Sequence, residues 1–92
     1  MLTEYIQAAM NSAKYEIIDN PEPYYGEIPR LKGLWATGAT LEECRRNLAE
    51  TLEEWLVISL QLGHKIPPMQ GIKIQGLKNE VVRELKELPA HG

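Results

Sequence analysis

Thirteen carboxylates, two histidines and one cysteine are the groups in this 92-residue chain whose spacing decides what chemistry is available. Two-metal hydrolysis needs several carboxylates converging on ions about 4 Å apart. The chain has one aspartate, Asp19, and the strand-like run Ile72-Lys73-Ile74-Gln75 brings no acid at all. Glu16 and Glu27 are placed to face each other across two neighbouring strands, an arrangement that usually forms a solvated face and not a metal site. His64 follows a glycine and His91 stands near the end of the sequence. Neither has an acid or a nucleophile at motif spacing, and no Cys/His spacing suggests zinc. The glycines are scattered and form no phosphate cradle. Cys44 falls on an apolar stripe, where a small buried hydrophobe is the natural reading. The expectation is a protein with no catalytic residues, no cofactor and no metal.

Recognition is better supplied than catalysis. Phe is absent, and Tyr24, Tyr25 and Trp35 cluster on what read as adjacent strands. Aromatic anchors dominate interface hot spots, so Tyr24, Tyr25 and Trp35 beside Glu27 form the candidate partner-binding set. The net charge of −3 disfavours direct nucleic-acid binding and suits a basic protein partner. A single cysteine and no basic, apolar leader point to a reducing cytoplasm. The longest apolar-rich stretch, residues 55–62, is far short of the ~20 residues a membrane span needs.

These groups have to be positioned by a short series of elements. Leu2, Tyr5, Ile6, Ala9, Met10 and Ala13 recur at spacings of three and four and predict an amphipathic helix within residues 1–13. Alternation takes over at 14–19, and Asn20-Pro21-Glu22-Pro23 ends that strand. A second strand is expected at 24–28, a turn at 30–33 and a third strand at 34–37. Thr40-Leu41-Glu42-Glu43 fits a capping box. It opens a helix of about twenty-two residues, roughly 33 Å long. Its inner stripe is Leu41, Cys44, Leu48, Leu52, Trp55, Leu56 and Ser59, and Gly63 is a natural stop. A fourth strand at 72–75 and a short helix at 77–88 complete the order α-β-β-β-α-β-α. The expected architecture is two-layer α+β, with three antiparallel strands, a fourth strand and the long helix packed on one face.

Near the end of the long helix Val57, Ile58, Leu60 and Leu62 make the surface apolar almost all round. They are the candidate oligomer interface, and a homodimer or homotetramer is expected.

Taken in order, Tyr25-Gly26-Glu27-Ile28-Pro29, Leu31-Lys32-Gly33, Trp35-Ala36-Thr37-Gly38 and Thr40-Leu41-Glu42-Glu43-Cys44 resemble the HicB-like antitoxin domain. The series continues through Leu48, Glu53-Glu54-Trp55-Leu56 and Gly63-His64-Lys65-Ile66-Pro67, so the resemblance covers about residues 14–75 of a single domain spanning 1–92. It implies a partly reduced ribonuclease-H-like fold used for protein binding, and a small basic RNA-cleaving toxin of the HicA type as partner. Family members often add a DNA-reading segment. Sixteen residues follow Gly76 here, and no such segment is expected among them. An oligomeric scaffold or small-ligand-binding module of the same fold is the alternative. A residual metal-dependent nuclease is disfavoured by the lone aspartate.

Overall fold

The change from helical spacing to alternation just before Lys14 divides the first helix from the first strand. The computed structural model describes residues 2–69, in the order α1 (Leu2–Asn11), β1 (Lys14–Ile17), β2 (Tyr24–Glu27), β3 (Trp35–Gly38) and α2 (Leu41–Gln61). The expected fourth strand at 72–75 and helix at 77–88 lie outside the described residues. The first two strands are shorter than their sequence pattern suggests. β1 stops at Ile17 because the chain turns through Asn20–Pro23, although Ile18 N still donates to the Pro23 carbonyl at 2.8 Å.

The sheet order is β1-β2-β3, antiparallel throughout. Tyr15 stands opposite Gly26 and Gly26 opposite Ala36, while Tyr25 stands opposite Glu16 and Thr37. The β2–β3 connection tucks its apolar residues inward: Ile28, Leu31 and Leu34 are all buried while Arg30 and Lys32 are exposed, and Gly33 takes a φ of +85°. That φ lies in the left-handed region, which glycine enters without a Cβ penalty.

α2 crosses β2 and β3 on one face of the sheet. Thr40 has extended backbone and its Oγ1 accepts from Glu43 N at 3.0 Å, as the capping motif requires. The helix ends in a Schellman arrangement, in which Gly63 at φ +74° donates to the Leu60 carbonyl and His64 N to the Ser59 carbonyl. Leu48, Leu52 and Leu56 are fully buried, and each contributes about 1.5–3 kcal/mol by leaving water. Tyr5, Ala8 and Ala9 of α1 complete this core. Tyr5 Oη donates to the Pro67 carbonyl at 2.6 Å, and Ser12 Oγ contacts Met69 Sδ at 3.7 Å. The segment after α2 is thus strapped along α1.

Two expectations for α2 need correction. Leu60 was expected at an oligomer interface, yet it is buried in the chain's own core. Val57 is partly buried against the same core, which leaves Ile58 (54% exposed) and Leu62 (64%) as the free apolar residues of that set. Leu41 was expected on the inner stripe but is exposed at the first helical position.

Candidate protein-binding face

Two glycines determine which side of the sheet faces the helix. A Cβ on Gly26 would lie 2.7 Å from the Tyr15 ring and 3.2 Å from Cys44 Sγ, and one on Gly38 would lie 2.4 Å from the backbone N of Cys44. Positions 24, 26, 36 and 38 therefore lie on the α2 side of the sheet, together with 15 and 17 on β1, since side chains alternate along a strand; Ile17, at the edge beyond the helix, is 74% exposed. The helix sits this close only because both positions lack side chains. Cys44 fills the gap, fully buried, and its thiol donates to the Ala36 carbonyl at 3.5 Å. Burial pushes the Cys44 thiol pKa up, and the Glu22 carboxylate adds to the effect. Asn47 Nδ2 donates to the Thr37 carbonyl at 2.9 Å and ties the next helical turn to β3.

The opposite face carries Lys14 and Glu16 from β1, Tyr25 and Glu27 from β2, and Trp35 and Thr37 from β3. Among the described residues no helix packs on it. Tyr25 and Trp35 are diagonal neighbours across β2 and β3, with ring centroids 6.0 Å apart and planes 24° from parallel. Such stacking contributes about 0.5–1.5 kcal/mol beyond area burial. Trp35 nevertheless remains 54% exposed. Glu22 joins this face from the β1–β2 turn, where its Oε1 accepts from Thr37 Oγ1 at 2.6 Å. The aromatic pair is thus set among three carboxylates, with Lys14 the ammonium among the strand residues of this face. The Tyr25 hydroxyl pKa is raised by desolvation first, then by the carboxylates of Glu27 and Glu16.

Three of the four residues expected to bind a partner, Tyr25, Glu27 and Trp35, share this face. Tyr24 does not: it stands opposite Gly38, on the helix side of the sheet. Gly26 and Gly38 carry the signal that places it, since small residues at alternate positions mark the side that receives a helix. Glu16 lies on the same face, although by sequence it reads only as a solvated acid or, less readily, a metal ligand. It does not face Glu27; it faces Tyr25, and the two glutamates are diagonal neighbours. Among the described residues no group of three His, Cys, Asp or Glu side chains is placed to hold a metal ion. None of the described helices is long and apolar enough to cross a membrane.

The family description UPF0150-like matches residues 4–67, which include every described strand and most of both helices. The chain belongs to the UPF0150-like family. Among solved structures it is similar to TTHA0281 from Thermus thermophilus, with 51% identity, a TM-score of 0.77, and coverage of 79% of this chain and 96% of that one. No curated protein matches. Membership of the UPF0150-like family agrees with the HicB-like, antitoxin-type resemblance of the motif series. The three-stranded α+β architecture with two helices is the part of the expected fold that the described residues display.

Proposed function

We infer that this UPF0150-like protein is a cytoplasmic, non-enzymatic antitoxin-type binding protein, whose partner is a small basic RNA-cleaving protein of the HicA type. The observation that carries the reading is the stacked Tyr25–Trp35 pair, half exposed at Trp35 and partly buried at Tyr25, set among Glu16, Glu22 and Glu27 on a sheet face that no described helix covers. Aromatic area supplies affinity once water is excluded. The carboxylates select a basic surface and speed encounter with it. An RNA-cleaving protein has to present cations to phosphate, so a face that covers those cations blocks substrate binding sterically. No catalytic group is needed for that. Self-association is part of the same reading: Ile58 and Leu62 are exposed near the C-terminal end of α2, and a homodimer or homotetramer would cover them.

The test is co-expression with a small basic HicA-type protein encoded beside this gene. The reading predicts that growth arrest by that protein is relieved, and that the two chains elute together from a sizing column. Failure to bind any such neighbour, with the chain eluting alone as a defined oligomer, would transfer support to the scaffold reading.

A further inference from the structure

We propose that Tyr25, Trp35, Glu16 and Glu27 form a receptor for the guanidinium group of an arginine presented by the partner protein, and that this receptor distinguishes arginine from lysine. The proposal rests on the reading that this face meets a basic protein, and it specifies the side chain recognised there.

The geometry favours a flat cation. Tyr25 and Trp35 are stacked with their planes only 24° apart, so each covers one face of the other and the outer ring face, Trp35's above all at 54% exposure, is left as a flat platform. A planar guanidinium stacks on such a surface with its edge still free to donate, whereas a tetrahedral ammonium meets it at one point. The free edge finds acceptors. Glu16 stands opposite Tyr25 on one side; Glu27 stands opposite Trp35 on the other, with Lys14 across from it on β1 but not in an ion pair among the described residues. The raised pKa of the Tyr25 hydroxyl, to which both carboxylates contribute, agrees with their nearness to it. Glu22 Oε1 is held by the Thr37 hydroxyl, and this third carboxylate adds negative charge from the turn. A stacked cation held by carboxylates at its edge matches the bidentate preference of arginine. Stacking by nucleobases, the other use of an aromatic sheet face, is opposed by the same carboxylates, which repel the accompanying phosphates.

The experiment uses the isotope-labelled full chain and two blocked pentapeptides, one carrying two arginines among glycines and the other two lysines. The Trp35 indole N–H resonance, assigned by its loss in Trp35→Phe, is followed by NMR. The arginine peptide is expected to move that resonance and to bind at least about three-fold more tightly than the lysine peptide. Glu16→Gln with Glu27→Gln is expected to weaken arginine binding about five-fold or more while the remaining amide spectrum stays native. Equal binding of both peptides, shifts confined to other surfaces, or occupation of the face by a second copy in the absence of peptide would each overturn the proposal. The same double variant, tested against a HicA-type protein, separates the two levels. Unimpaired binding there would sink the receptor and leave the antitoxin reading standing. Arginine binding with no affinity for any HicA-type protein would do the reverse.

Discussion

Replacing Gly38 by alanine should destabilise this fold more than any other single methyl group added to the sheet. The added Cβ would lie 2.4 Å from the backbone N of Cys44, 2.8 Å from its Cα and 3.0 Å from the carbonyl carbon of Glu43. All three atoms are backbone, so no rotamer change relieves the overlap. The first turn of α2 has to lift by about 1 Å, judged against ordinary C···N and C···C separations near ~3.5 Å. That movement loosens the Cys44–Ala36 and Asn47–Thr37 contacts together. Overpacking of this kind costs about 1–3 kcal/mol, and the rigidity of the obstacle puts Gly38→Ala at about 3. For a domain of this size, the expected fall in Tm is about 12–24 °C. Gly26→Ala is the control, because its nearest obstacle is the Tyr15 ring, a side chain able to swing away. It should cost about 1–2 kcal/mol. Both are read by calorimetry or by circular dichroism during heating. A Gly38→Ala protein that melts no lower than Gly26→Ala would refute the claim that α2 sits on this sheet through the missing side chain at Gly38.

Three further outcomes follow from the same geometry. Thr40→Ala removes the acceptor for Glu43 N at the start of α2 and should cost about 1 kcal/mol in chemical denaturation, with Thr40→Ser restoring most of it. Burial raises the pKa of Cys44, Tyr5 and Tyr15 above their ordinary values near 9, 10 and 10, with Arg30 partly offsetting the shift at Tyr5 and Arg45 at Tyr15. The native state therefore keeps these protons longer than the unfolded chain does. Stability should be level up to about pH 9 and fall as pH rises further, by linkage; a Tm that rises between about pH 9 and 11 would contradict this. Cys44 should also resist thiol reagents at about pH 8 until the chain unfolds, since it is fully buried.

The helices were legible because their signals are local and repeated. The Thr40 cap, the Leu48–Leu52–Leu56 stripe and the Gly63 stop each appear in the structure as the spacing implies. The strands were legible as strands, but alternation sorts residues into two classes without saying which class meets the helix. That choice decides the binding set. Tyr24 and Tyr25 are equivalent by type and adjacent in sequence, and only the register, with Gly26 and Gly38 beneath α2, separates them. Leu60 was misplaced for a related reason. Periodicity shows that the last turns of α2 are apolar all round, whereas the coverage of Leu60 depends on where the rest of the chain packs. By type Glu16 is one carboxylate among many, and its aromatic neighbour becomes apparent only from pairing across β1 and β2.

The central claim is that the outer sheet face binds a basic protein through its aromatic pair. Its most direct test is calorimetric titration of a HicA-type partner into the wild-type chain and into Tyr25→Ala with Trp35→Ala. The double variant is expected to bind at least about 30-fold more weakly, a loss of about 2 kcal/mol. The double variant loses the ring stacking and the partial burial of Tyr25, so the melting temperature should fall by about 8–16 °C, the shift for about 2 kcal/mol in a domain of this size, while unfolding stays cooperative. Unchanged affinity in a well-folded double variant would contradict the account and place any partner on another surface.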